Sequence, residues 1–385
     1  MKTTLRFMLS AGLLTTLLVF NACKKEEDKK DDSGTNDIVS AIEANNELTS
    51  TSSTASSDTK EIINSEGTQS LVHMGELAQK DNSALGLKQV THSITSNVVD
   101  LIEKYQKNEK VSNLRTYGED GKFEISKHAG TYSWMISEER WDTSGKGQPA
   151  DKVILKFPSD STKTTNNATL TLNAFEQATI TKDGVNDYPP TKIDVNLKLN
   201  NVIVAELIAT ASYQSDGIPI TVSINPLYVK PFKFTASLNN AGATISGTLN
   251  LTKEPSTTLV DIAATLNFKD DTKKDLKNAS GHVEYKALRL QGSADIEGLM
   301  NDSLNKNEAA RINKFILIDI LKNGRKLGSV YFEKILETPP DTSTEGDSTM
   351  MVYVKFNDGS KEKAEKYFKP IATDIENELK RLDKK

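Results

Sequence analysis

Lys192-Ile193-Asp194-Val195-Asn196-Leu197-Lys198-Leu199-Asn200-Asn201 runs straight into Val202-Ile203-Val204-Ala205-Glu206-Leu207-Ile208-Ala209-Thr210-Ala211-Ser212-Tyr213. Ile193, Val195, Leu197 and Leu199 alternate with Lys192, Asp194, Asn196 and Lys198. A period of two puts the four apolar side chains on one face of an extended strand and the polar ones on the other. Asn200-Asn201 suits a tight hairpin turn, because asparagine tolerates the left-handed backbone that such turns need. One wet face and one dry face per strand point to antiparallel hairpins, not to a parallel sheet buried on both sides.

The same grammar extends in both directions. Asp216-Gly217 marks a turn before Ile218 to Ile224. Ile245, Gly247, Leu249 and Leu251 alternate with Ser246, Thr248 and Asn250, and Val260, Ile262, Ala264, Leu266 and Phe268 with Asp261, Ala263, Thr265 and Asn267. Residues 122–291 thus read as roughly ten consecutive strands. Phe315 to Leu321 and Gly328 to Ile335 form a hairpin across Asn323-Gly324, and Met350 to Phe356 is a further strand.

Helices flank the strands. Leu87, Val90, Ile94, Val98, Leu101, Ile102 and Tyr105 recur at steps of three and four, as do Leu71, Met74 and Leu77 in a weaker segment over 68–80. A helix is predicted over 295–312. A last one is predicted to be capped by Ser360 and kinked at Pro370. The fold class is therefore α+β, mainly β: a large curved antiparallel meander packed on N-terminal, middle and C-terminal helices. A two-sheet β-sandwich is the alternative. The element order over 85–385 resembles the half-barrel of periplasmic lipoprotein carriers and related lipid-binding lipoproteins. No residue motif of that family is matched, so no functional residue is carried over.

The chain has 385 residues, is 36% hydrophobic and 26% charged, and carries a formal net charge of −5. That balance gives no electrostatic footprint for nucleic acid. The single cysteine excludes an internal disulfide and a thiolate metal cluster. Lys2 and Arg6 precede an apolar stretch, Phe7 to Phe20, too short for a spanning helix, and then come Asn21, Ala22 and Cys23. This arrangement resembles the lipobox of bacterial lipoproteins, with Phe20 and Asn21 departing from its commonest form. The resemblance implies cleavage before Cys23 and acylation of its thiol, which would hold the chain on a bilayer. Cys23-Lys24-Lys25-Glu26-Glu27-Asp28 is similar to the export signal of surface lipoproteins of the Bacteroidetes phylum. It implies that Lys25, Glu26 and Glu27 address the protein to the cell surface. The expected domains are a signal peptide over 1–22, a lipidated and disordered tether over 23–60, rich in Ser, Thr and Asn, and one globular domain over 61–385.

The search for chemistry yields little. The chain has no Gly-x-Ser-x-Gly elbow, His-Glu-x-x-His helix, P-loop or dinucleotide glycine fingerprint. His73, His92, His128 and His282 lack metal-ligand spacing, so neither a metal nor another cofactor is expected. Asp270 to Asp275 reads as a solvated loop. Asp319, inside an apolar strand, must be paired, protonated or at an exposed edge, with a salt bridge or an edge position expected. Trp134 and Trp141 lie close in sequence, and paired aromatics can bind a sugar or an apolar ligand; they can equally be core residues. The expected function is a non-catalytic binding or carrier role for an apolar ligand, in an outer-membrane lipoprotein exposed at the surface. A glycan- or protein-binding accessory and a carboxylate-dependent hydrolase are the other readings. The expected partners are a membrane, through the anchor, and a lipid or glycan ligand. Oligomeric state is not legible.

Overall fold

A computed structural model describes residues 40–80, 122–182, 184–302, 307–336 and 348–367. Helices α1 (Ala41–Asn64) and α2 (Glu66–Lys80) come first, then a single turn, α3 (Ile125–His128). The strands are β1 (Gly130–Met135), β2 (Arg140–Lys146), β3 (Val153–Phe157), β4 (Ala168–Gln177), β5 (Ile180–Lys182), β6 (Val185–Asp187), β7 (Pro190–Leu199), β8 (Val202–Tyr213) and β9 (Pro219–Val229). They continue with β10 (Phe232–Ala241), β11 (Thr244–Lys253), β12 (Thr257–Phe268), β13 (Leu276–Tyr285) and β14 (Leu288–Asp295). Two short helices, α4 (Ile296–Asn301) and α5 (Glu308–Phe315), precede β15 (Ile316–Lys322), β16 (Arg325–Leu336), β17 (Ser348–Phe356) and β18 (Lys361–Lys363).

Sixteen strands form one sheet in the order β18 to β7 without interruption, then β4, β3, β1, β2; β5 and β6 pair only with each other. The fold is α+β and mainly β, a curved open sheet. The sandwich alternative is thereby set aside. Neighbours are antiparallel except β1 with β3, which are parallel because β2 turns back on the outer side. The turns follow their residues. Asn200 and Asn201 take φ of 48° and 68°, and Asn323-Gly324 takes 51° and 78°. β-Bulges interrupt the ladder between β7 and β8, β8 and β9, β9 and β10, β11 and β12, and β12 and β13. Each adds local twist, so a sheet this wide bends instead of lying flat.

Both outer edges are blunted against further strand pairing. β18 is three charged residues long. On β2 a bulge leaves Ser144 extra, and its N–H donates to the Asp142 carboxylate at 2.9 Å. These are standard protections of an open edge.

α1 and α2 cross the sheet at one end of its strands. Glu43 pairs with Arg325 at the start of β16, and Glu47 with Lys322 at the end of β15. Asp58 pairs with Lys286 just after β13, and Glu61 with Lys253 at the end of β11. Gly67 lies against Val204 and Val229 of β8 and β9, and Lys80 reaches Glu139 in the β1–β2 turn. The lengths agree. At ~1.5 Å per residue, 24 and 15 residues give rods of ~36 and ~22 Å, against ~58 Å for the twelve strand spacings from β16 to β1. At Gly67 a Cβ would stand 2.5 Å from the Val204 carbonyl oxygen, so only glycine allows this approach.

The tether expectation needs correction: from Ala41 onward the supposed disordered stretch is helix. Ser40 caps it, accepting from the Glu43 N–H at 3.2 Å. Thr49 and Thr54 satisfy their hydroxyls on carbonyls four residues back. Ala44 and Leu48, one turn apart, are buried in a core. The Ser/Thr-rich composition masked this thin apolar stripe. The 295–312 helix is likewise two pieces, α4 and α5. Ser360 caps no helix; its N–H and hydroxyl both donate to Asp358, and β18 follows. The helical pattern over 87–105 and the kink expected at Pro370 lie outside the described residues.

Candidate ligand face on the central strands

Two separate cores hold the sheet. The first joins Leu71, Met74 and Leu77 of α2 to β1–β4 and β7–β9, with Phe234 and Ala236 of β10 at its margin and Phe157 and Leu197 among its fully buried side chains. The second joins Ala44 and Leu48 to β14–β17 and Tyr367. Leu238, Ile245, Leu249, Leu251, Val260, Leu266 and Val283 belong to neither, and all are only half-buried. They sit on one face of β10–β13, as the register shows: Ala236 faces Leu249, Leu249 faces Ile262, and Ile262 faces Val283. The strand alternation therefore builds a dry face here that no second apolar layer among the described residues covers.

Across this face runs a furrow. Gly247 pairs with Ala264, Ala264 with Gly281, and Gly281 with Gly292. Four successive strands thus contribute nothing larger than a methyl group. The row on one side is bulkier throughout, Leu249, Ile262, Val283 and Leu290; on the other, Ile245 and Leu266 are bulky on β11 and β12 and the row goes on with Ala279 and Ala294 on β13 and β14. At Gly281 and Gly292 a Cβ would lie within 2.4 Å of the next strand's carbonyl oxygen, so the strands close up there only because both are glycine. α1 bounds the furrow at one strand end, through Asp58 and Glu61. α4, which touches β13, bounds it at the other.

The opposite face is polar and closed by cross-strand bonds. Ser237 and Thr248 hydroxyls lie 2.6 Å apart, His282 Nε2 is 3.0 Å from Asp261, and Arg289 donates to Glu284 at 2.6 Å. Asp319 belongs to this side, held by Lys326 at 2.6 Å and by the Ser329 hydroxyl at 3.0 Å. This meets the expectation of a salt bridge. Asp270 is a turn residue whose carboxyl is held low by bonds from the Thr272 hydroxyl and N–H.

The structure corrects the tryptophan pair. Trp134 and Trp141 face each other across β1 and β2 with ring centroids 5.4 Å apart, edge to face. They are 4% and 2% exposed, so they are core residues and not a sugar platform. The first strand pair needs them because β2, at the sheet's rim, has no other large apolar side chain. Cys23, Lys25, Glu26 and Glu27 lie outside the described residues, as does His92. His73 meets Glu76, His128 stacks on Phe123, and His282 meets Asp261; among the described residues no group of three His, Cys, Asp or Glu could hold a metal. The furrow itself carried a sequence signal, the glycines and alanines recurring on the apolar side of neighbouring strands. Only the register reveals that they align.

Residues 306–368 match the Rib domain family model. The match spans α5, β15 to β18 and most of the second core, less than a fifth of the chain. Rib domains are typical of surface proteins of Gram-positive bacteria, which associates the chain with cell-surface proteins of accessory type. No curated protein and no solved structure matches. No helix among the described residues is long and apolar enough to cross a membrane.

Proposed function

We propose that this protein is a lipid-anchored, non-catalytic binding protein that holds an apolar ligand on the central face of its sheet. The carrying observation is the apolar face of β11–β13, whose half-buried Ile245, Leu249, Leu266 and Val283 belong to neither core and which is grooved by Gly247, Ala264, Gly281 and, on β14, Gly292. Contiguous apolar surface of this kind marks binding sites. The anchor reading rests on Cys23, placed at the end of an apolar signal-like stretch. The outer membrane and its outer face are our reading of Lys25, Glu26 and Glu27 beside it. The Rib match favours a cell surface but points to an envelope without an outer membrane. Acylation of Cys23 is compatible with either.

Native mass spectrometry of protein released from its own membranes tests the binding role. A bound apolar molecule, lost in an Ala264→Trp variant that fills the furrow, is the expected result. A bare protein overturns it. Cys23→Ala tests the anchor: membrane retention and the acyl mass should both disappear. The Rib match also supports a second reading, an accessory that binds a protein partner, for which a pull-down insensitive to Ala264→Trp is the distinguishing result.

A further inference from the structure

Asn240 sits at the end of the furrow's flanking row, on β10, directly opposite Ile245, which in turn faces Leu266. It is 4% exposed. Its Nδ2 donates to the Pro219 carbonyl oxygen of β9 at 2.8 Å, which fixes the amide's orientation. Oδ1 is buried with no hydrogen-bond partner. β9 and β11 lie on opposite sides of β10. Because the nitrogen branch reaches toward β9, the oxygen branch is turned toward β11, where Ile245 and Gly247 begin the furrow. A buried acceptor without a donor is costly, and native proteins keep one where something supplies the donor.

We propose that the ligand is a linear apolar chain ending in a neutral hydrogen-bond donor, a hydroxyl or an amide N–H, with the chain lying in the furrow and the donor bonded to Asn240 Oδ1. An ionised carboxylate is disfavoured: it brings only acceptors to an acceptor, and neither flanking row of the furrow carries a cation. This rests on the binding role proposed above and adds the class of head group.

The test is displacement of the apolar probe N-phenyl-1-naphthylamine from the full-length protein at pH 8. Dodecan-1-ol, dodecanamide and dodecanoate are the three competitors. The alcohol and the amide are expected to displace the probe at about tenfold lower concentration than the carboxylate, the effect of about one hydrogen bond. In Asn240→Leu, with probe binding retained, the three should differ by less than about twofold. Equal displacement by all three in the unaltered protein overturns the head-group assignment and leaves the binding role standing. Failure of the probe to bind overturns the binding role and the head-group assignment with it. The comparison among competitors in the unaltered protein decides the assignment whether or not Asn240→Leu folds.

Discussion

Asp58 shows how single residues hold the crossing helix in place. It accepts from the Tyr285 hydroxyl at 2.6 Å and pairs with Lys286 at 2.7 Å, and its side chain is mostly buried. Burial first, then the Asp58 bond and charge, push the tyrosine's pKa well up. Asp58→Ala is expected to lower stability by about 1–3 kcal/mol, read as a shift in urea midpoint, because it removes one partner of a buried bond and one of an ion pair. Trp141→Ala should cost about 3–5 kcal/mol through the cavity left at the rim of the first core. His128 carries a pH dependence. Burial, then Lys146 and Lys127, hold its pKa below the usual 6.5. The unfolded chain therefore takes up the proton first. Stability is flat above that value and falls as pH drops from 6.5 through the folded pKa. A proton-NMR titration of His128 should give a midpoint below 6.5, and a midpoint above it would contradict this account.

At the scale of elements, what the residues reveal depends on how crowded their pattern is. The hairpins from β7 to β13 are legible because strict alternation and Asn or Gly turns act together at each one. Helix α1 is not, because its stripe gives the second core only Ala44 and Leu48 as buried members, with Ala41 beside them, and its ion pairs from Glu43, Glu47, Asp58 and Glu61 reach residues about two hundred positions away or more. Long-range ion pairs leave no local periodicity. Leu48→Ala should therefore cost about 2–5 kcal/mol, a size unexpected for a Ser/Thr-rich tether but ordinary for a core leucine. The tryptophans fail for the converse reason. Their proximity in sequence is visible, but their burial in the first core is decided by residues distant in sequence, and no local pattern reports it. The furrow lies between these cases: its small residues can be read, their alignment across four strands cannot.

On the scale of the whole molecule, two cores joined by a central stretch of sheet leave an apolar face between them, and the crossing helix passes over only one end of it. The N-terminal end of α1 lies at β15 and β16, beside the second core. The proposed binding of an apolar ligand in the furrow of this central face is open to direct measurement. Titration of N-phenyl-1-naphthylamine against the unaltered protein and Ala264→Trp tests it most directly. Saturable binding at one site, weakened at least about tenfold by the tryptophan while the circular dichroism spectrum is unchanged, is the predicted result. Binding of equal strength in the folded variant would contradict it.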